Sequence, residues 1–323
     1  MRWYVAALAL AVAFPSYAKA QFASRVELHP VVSETPTDQQ FLTGASGAPA
    51  ATLSGELRLP RPGNDRLPAV VLLHGSGGIG GNIQAWVAEL NKMGVATFMV
   101  DSFTGRGIAS TQADQDVMSR LAMVVDAYRS LDLLAAHPRI DPTRIAVLGI
   151  SRGGGAAHWA AMERFQRTHA KGTKARYALH IAFYPTCNRE FKENMKLSGP
   201  VRIIHGTADD YIPIKECREL VARLRDAGQD ASILEIEGAH HVFDAPSGTP
   251  SKVAQAQTTR SCPLIRESDS GILVNSTTNQ PFTYATDPCV ERGTTVGHDP
   301  AGLEQSRRAV REMLTQAGFV RQP

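Results

Sequence analysis

The run Gly149-Ile150-Ser151-Arg152-Gly153-Gly154 constrains the fold more than any other stretch of this 323-residue chain. Before it, Thr143-Arg144-Ile145-Ala146-Val147-Leu148 is a short apolar segment of the kind buried on both faces of a parallel sheet, and Asp141-Pro142 ahead of it reads as a turn. After it, Gly155-Ala156-Ala157-His158-Trp159-Ala160-Ala161-Met162 has the small side chains of a helix packed closely on a sheet. A strand that turns into a helix within one residue leaves that residue strained and exposed. Glycines two before and two after it remove the Cβ atoms that would clash there. The residue so displayed is Ser151. Free N–H groups at the start of the following helix would face the same point. One motif therefore offers a nucleophile and, in the Arg152 N–H, an oxyanion donor. Glycines around a serine also occur in ordinary turns and phosphate loops, and here the strand before and the helix after favour the nucleophile elbow.

The rest of the chain repeats the alternation of strand and helix. Ala69–Leu73, Val95–Val100, Ile145–Leu148, Ile181–Tyr184 and Val201–Ile204 are short, apolar throughout and rich in β-branched or aromatic residues, as central parallel strands are. Val26–Leu28 and Thr52–Leu59 alternate apolar and polar residues, as half-exposed antiparallel strands do. Asp114–Ala136 and Ile214–Ala227 show helical spacing, Gly228 suits a helix stop, and Ile233–Ile236 a last strand. The expected fold class is α/β, a mostly parallel sheet flanked by helices. From about 245 to 300 the rhythm fails. That segment is rich in Ser, Thr, Pro, Asn and Gly and precedes a terminal helix over 302–316. It reads as an insertion, with 272–274 and 281–284 as the arms of a hairpin, because a structureless loop of that length is unusual.

The N-terminus reads as a signal peptide: Met1-Arg2, an apolar run from Trp3 to Phe14, and Ala18-Lys19-Ala20 as a small-residue cleavage site before Gln21. The apolar run is well short of the roughly 20 residues a membrane span needs. Residues 21–323 are then expected to form one domain carrying the insertion, in a protein that is secreted or periplasmic. Cleavage removes Arg2 and Lys19 and lowers the formal net charge from +3 to +1. A nearly neutral chain without a basic stripe is not expected to bind nucleic acid. Export would carry Cys187, Cys217, Cys262 and Cys289 to an oxidising compartment. Of the three possible pairings, Cys187–Cys217 and Cys262–Cys289 close the shortest loops, and each is worth roughly 3–4 kcal/mol in the chain-entropy model. No CxxC or paired-histidine spacing accompanies them, so no metal is expected.

A serine hydroxyl needs a base, and the base an orienting carboxylate, in the chain order Ser, Asp, His for this strand–turn–helix context. His205-Gly206-Thr207-Ala208-Asp209-Asp210 follows one predicted strand and Gly238-Ala239-His240-His241 the next, so acid and base both fall at strand ends. The Gly-rich loop His74-Gly75-Ser76-Gly77-Gly78-Ile79-Gly80-Gly81 follows the first parallel strand. It lacks the Gly-Lys-Ser/Thr ending of a nucleotide-binding loop, and no cofactor is expected. Arg106, after another strand, has the charge to meet a substrate carboxylate or to brace its own loop. Tyr184 ends a strand where it would line a pocket or pack.

The elbow, Gly206-x-x-Asp209-x-x-x-Pro213 and His241-x-Phe243 resemble the three signature stretches of the dienelactone hydrolase family of α/β-hydrolases, and the similarity spans most of the chain. The resemblance implies Ser151 as nucleophile, Asp209 rather than Asp210 as acid and His241 rather than His240 as base. It also implies an oxyanion hole from the N–H groups of Ser76 and Arg152, with Gly77 beside it against substrate. The name-giving enzymes carry a cysteine nucleophile and a glutamate near the oxyanion loop, and this chain has Ser151 and no glutamate there. It is more similar to the exported branch, whose members are mostly assigned as general ester hydrolases. The expected function is hydrolysis of a small carboxylic ester or lactone through an acyl-enzyme, with activity rising through pH of roughly 6–7 as the base becomes neutral. The other readings are a peptidase of prolyl-oligopeptidase type and a non-catalytic binding protein on the same scaffold.

Overall fold

A computed structural model describes residues 25–321 apart from Lys171 and Thr173. The segment expected to be a signal peptide, residues 1–20, lies outside the described residues. An eight-stranded sheet runs in the order β1 (Arg25–Glu34), β2 (Ala50–Leu59), β4 (Ala96–Asp101), β3 (Leu67–Leu73), β5 (Ile140–Ile150), β6 (Leu179–Phe183), β8 (Val201–Gly206), β9 (Ala231–Ile236). The two alternating segments at its edge, β1 and β2, pair antiparallel, and β2 pairs antiparallel with β4. All other ladders of this sheet are parallel. The connections carry α1 (Asp38–Thr43), α2 (Gly81–Lys92), α3 (Ala122–Ala136), α4 (Arg152–Trp159), α5 (Glu163–His169) and α6 (Lys215–Asp226), and α7 (Pro300–Gln316) closes the chain.

Period-two alternation divides β3 between two cores. Ala69, Val71 and Leu73 pack with Met123, Tyr128 and Trp159 on one face, and Val70 and Leu72 pack with Trp86, Leu90 and Val310 on the other. All seven residues of β3 are buried, so the sheet centre is apolar on both sides and helices must cover both. The strand ends emerge from this rigid layer at its carboxyl edge, where loops are free to carry chemistry.

Three sequence expectations shift. Asp141-Pro142 is not a turn; it lies within β5, where partners along β3 jump from Leu67↔Ile140 to Ala69↔Ile145. The proline sits in this bulge, where no ladder N–H is needed, and Asp141 accepts the Thr143 N–H at 3.0 Å. The helix expected from Asp114 begins at Ala122 and is preceded by a 3-10 turn, Gln115–Val117, in which Asp114 caps Asp116. The last helix starts at Pro300, with Asp299 accepting the Gly302 N–H at 2.8 Å, because proline suits a first helical position.

The 245–300 segment is built from β10 (Ser251–Thr258) paired antiparallel with β13 (Glu291–Val296), and from β11 (Ile265–Glu267), β12 (Leu273–Asn275) and β7 (Arg189–Glu190) in a three-stranded sheet. The expected hairpin arms do meet, through Val274↔Pro281 and the Phe282 N–H to Leu273 carbonyl bond of 2.9 Å. Disulfides join Cys262 to Cys289 inside this segment and Cys187 to Cys217 between the β6 exit and α6.

Several histidines are buried within the fold. Burial pushes His158 down to about 3 and His180 down to about 4, and it lowers His74 and His205 as well. A histidine held neutral in the fold titrates near 6.5 once unfolded, so its stabilisation is complete above that pH and is lost as pH falls below it. Each such group contributes a slope of about 1.4 kcal/mol per pH unit. Urea unfolding at pH 7, 6 and 5 is expected to show stability falling on acidification in the 6.5-to-4 window, with His158 and His180 together giving about 3 kcal/mol per unit below pH 6. A flat profile there would contradict the buried-neutral assignment.

Candidate active site

Ser151 stands between β5 and α4 with φ 56° and ψ −113°, a backbone region costly for a side chain other than glycine. The surroundings hold it there. A Cβ on Gly149 would lie 1.9 Å from the Gly153 carbonyl oxygen, and one on Gly153 would lie 2.3 Å from the Leu73 oxygen. Only glycine fits either position, which is the steric reason for the pattern seen in the sequence. The Ser151 N–H donates to the Phe183 carbonyl at 3.0 Å, tying the turn to the neighbouring strand β6.

His241 follows β9 and presents Nε2 to Ser151 Oγ at 2.9 Å, while its Nδ1 meets Asp209 Oδ2 at 2.7 Å. Asp209, after β8, also accepts the N–H groups of Tyr211 (2.8 Å) and Ile212 (2.9 Å) on Oδ1. With Nδ1 donating to a carboxylate, Nε2 is left as the acceptor for the serine proton. Burial by itself would raise the Asp209 carboxyl, but the adjoining His241, with His205 and the Ile212 N–H, holds it below its ordinary value. The His241 ring is wedged between Tyr184 and Tyr211, at centroid distances of 4.5 and 4.6 Å. The neighbouring candidates go elsewhere. Asp210 accepts the Thr295 N–H at 2.7 Å and its hydroxyl at 3.0 Å, anchoring the insertion, and His240 is half-buried, its Nδ1 without a hydrogen-bond partner among the described residues.

The Gly-rich loop comes alongside Ser151: a Cβ on Gly75 would lie 3.4 Å from Ser151 Cβ. Arg152 opens α4, so its N–H has no carbonyl four residues back within the helix. Its side chain is fully buried and donates to Gln115 Oε1 at 2.9 Å and Thr111 Oγ1 at 3.3 Å, and the same Gln115 donates from Nε2 to Ser76 Oγ at 3.2 Å and Tyr211 OH at 3.3 Å. Thr111 N–H meets the Ser76 carbonyl at 2.8 Å. The two expected oxyanion residues are thus joined through Gln115, a residue the sequence did not single out. Burial, helped by nearby Arg120, pushes the Arg152 guanidinium down to about 9.

Of the three expected substrate contacts, Arg106 and Tyr184 are corrected. Arg106 has a side chain only 4% exposed and is spent internally: Nη1 and Nη2 each donate to Asp126 at 2.8 Å, Nε donates to Thr35 Oγ1, and the Ser102 and Glu34 carbonyls take the rest. It braces its loop and has nothing left for a ligand. Tyr184 is buried behind His241, where its hydroxyl donates to Asp244; the Trp86 indole N–H donates to the same carboxylate at 2.8 Å. Burial raises the Asp244 carboxyl against these bonds. Gly77 is exposed beside Gln112 and does not line the cavity over Ser151.

That cavity is small. About 10 Å³, the space of one water, is enclosed by Ser76, Ser151, Tyr211, Gln257, Thr258 and Tyr284. Gln257, Thr258 and Tyr284 belong to the 245–300 segment, which therefore roofs the serine. Thr258 Oγ1 donates to the Tyr211 carbonyl at 2.6 Å, and Gly297 N–H to the His241 carbonyl at 2.9 Å, so the roof is fastened to the loops that carry Asp209 and His241.

Comparison with known proteins agrees with this architecture. A search of curated protein sequences returned no match. Among solved structures, a dienelactone hydrolase-like promiscuous phosphotriesterase from metagenomic libraries superposes with a TM-score of 0.58 at 17% identity, over 90% of this chain and 98% of its own. A thermophilic esterase of the Planctomycetes species Thermogutta terrifontis, with propionate bound, gives 0.55 at 16% identity over 90% and 96%. At these identities the likeness is one of fold. The model of the dienelactone hydrolase family matches residues 56–261, a span holding the elbow, the Gly-rich loop, Asp209 and His241, and this chain belongs to that family.

Proposed function

We propose that the protein is an exported serine hydrolase of carboxylic esters or lactones, acting through Ser151, His241 and Asp209. Membership of the dienelactone hydrolase family supports ester hydrolysis. The observation that carries the finer reading is the continuous relay of 2.9 and 2.7 Å from Ser151 Oγ through His241 to Asp209. Ser151 Oγ attacks the ester carbonyl as His241 Nε2 takes its proton, and the carbonyl oxygen becomes an oxyanion held by the N–H groups of Arg152 and Ser76. The C–O bond then breaks, and the alcohol leaves with the proton from His241. A water deprotonated by the same nitrogen attacks the acyl-serine, and collapse releases the acid and restores Ser151. Asp209 orients the ring and stabilises the imidazolium without being protonated itself.

Export is supported by two disulfides, bonds that persist in oxidising compartments. We read residues 21–323 as one domain whose insertion covers the nucleophile. Purified mature protein is expected to hydrolyse 4-nitrophenyl acetate and butyrate and to leave aminoacyl 4-nitroanilides intact. The reverse preference would favour a peptidase, and inactivity on both a binding protein.

A further inference from the structure

The space beyond the nucleophile is larger than the space over it. Arg120 and Tyr284 line both the cavity over Ser151 and a separate chamber of about 280 Å³, so these two side chains form the partition between them. Arg120 lies over the Tyr284 ring at 5.1 Å and donates to Gln115 Oε1 at 3.0 Å and Thr186 Oγ1 at 3.3 Å.

One part of the chamber lining is aromatic, Trp159, Phe191, Phe282 and Tyr284, and polar or aliphatic residues such as Thr37, Gln115 and Leu273 line the remainder. Arg189 also lines it, 6% exposed, with its guanidinium 5.0 Å from the Phe282 centroid and 5.8 Å from that of Tyr284. Its one hydrogen bond runs from Nη2 to the Tyr284 hydroxyl at 3.5 Å. Arg189 Nε and Nη1, Arg120 Nε and the Trp159 indole N–H are buried without any hydrogen-bond partner. All four are donors. Buried donors with no acceptor are costly, and a buried guanidinium without a counter-charge more so. Among the described residues neither Arg120, Arg152 nor Arg189 forms an ion pair with an acid. The chamber does include two carboxylates, Asp38 and Asp116, on its outer side. Each accepts one hydrogen bond from a neutral donor, Asp38 from the Ser119 hydroxyl and Asp116 from the Ala285 N–H at 2.9 Å, and Asp116 is exposed while Asp38 is half-buried. Burial alone would raise the Tyr284 hydroxyl, yet Arg120, Arg189 and Arg152 hold it below its usual value, a sign of a positive field at this wall.

We propose that this chamber is a binding site for an aromatic carboxylate, its anionic group on Arg189 and its ring against Trp159, Phe191 and Phe282. An arginine stacked on aromatic rings with free donors matches a carboxylate at the edge of a flat apolar body. The chamber abuts the nucleophile only through Tyr284 and Arg120. The site is distinct from the cavity over Ser151, from which Arg120 and Tyr284 divide it.

Calorimetric titration of the disulfide-intact protein with sodium benzoate, benzamide and sodium cyclohexanecarboxylate tests the site without catalysis. Benzoate is expected to saturate one site at least tenfold more tightly than either analogue, and Arg189→Met to weaken benzoate at least tenfold. Equal affinity for benzoate and benzamide, equal affinity for benzoate and cyclohexanecarboxylate, or no effect of Arg189→Met overturns the proposal. Should that variant not fold, the discrimination by unaltered protein decides. Hydrolysis of 4-nitrophenyl acetate, measured in parallel, separates the two readings. Selective benzoate binding with no ester turnover upholds the site and fails the hydrolase, whereas turnover without selective binding fails the site alone.

Discussion

Ser151→Ala is expected to lower kcat on 4-nitrophenyl acetate by about 10⁴- to 10⁶-fold, with KM little changed and the thermal midpoint unmoved. The Oγ atom is the group that would bond to the acyl carbon, and no other hydroxyl takes its place against His241: the ring is clamped between Tyr184 and Tyr211 and points Nε2 at that single oxygen. Stability should survive because the strained turn is imposed by its frame. Gly149 and Gly153 pack against backbone oxygens, and the Ser151 N–H bond to Phe183 does not involve the side chain. What remains of catalysis after the change is what the oxyanion donors and substrate positioning supply on their own. A variant that keeps more than a tenth of the activity would show that the ester is cleaved by another group.

Asp209→Asn is expected to cost about 10⁴-fold in kcat while its neighbour Asp210→Asn stays within a few-fold of the unaltered protein. The amide can no longer accept the Nδ1 proton as a carboxylate does, so the imidazole is free to adopt the wrong tautomer and its cation loses a counter-charge. Asp210 gives up only the Thr295 bonds that moor the roof. The pH profile adds a second readout. Because the carboxyl of Asp209 lies below its ordinary value, it is already ionised across the working range. The acid limb of kcat/KM should therefore follow one proton, and two protons lost on that limb would contradict the assigned roles.

Much of this was written locally. The elbow is legible because its glycines flank Ser151 within two residues, although the oxygens that require Gly153 come from Leu73 and His74 on the neighbouring strand end, and the apolar strands of the sheet carry their burial in their composition. The pairs Asp209-Asp210 and His240-His241 stood out because each follows a strand whose end must reach the same edge, and the family resemblance chose Asp209 and His241 within them. What the sequence hid was pairing over distance. Sequence left Arg106 between meeting a ligand and bracing its loop because its partner, Asp126, sits on the buried face of α3, and nothing in either segment announces the other. Tyr184 and Asp244 meet for the same reason. Gln115 lay inside a stretch with helical spacing, so its station between Arg152 and Ser76 depends on the helix starting later, at Ala122. The strands β10 and β13 are polar and partly exposed, and lack the apolar pattern that marks a strand from sequence alone. Asp141-Pro142 does show turn chemistry, with Asp141 capping Thr143, but the flanking β3 captures the segment as a bulge.

Ser151 as an activated nucleophile is tested most directly by labelling the purified, disulfide-intact protein with a fluorophosphonate probe and mapping the adduct by peptide mass spectrometry. The expected result is one adduct per chain, on Ser151, lost in Ser151→Ala and strongly slowed in Asp209→Asn. Absence of labelling in folded protein, or an adduct on any other residue, would contradict the account.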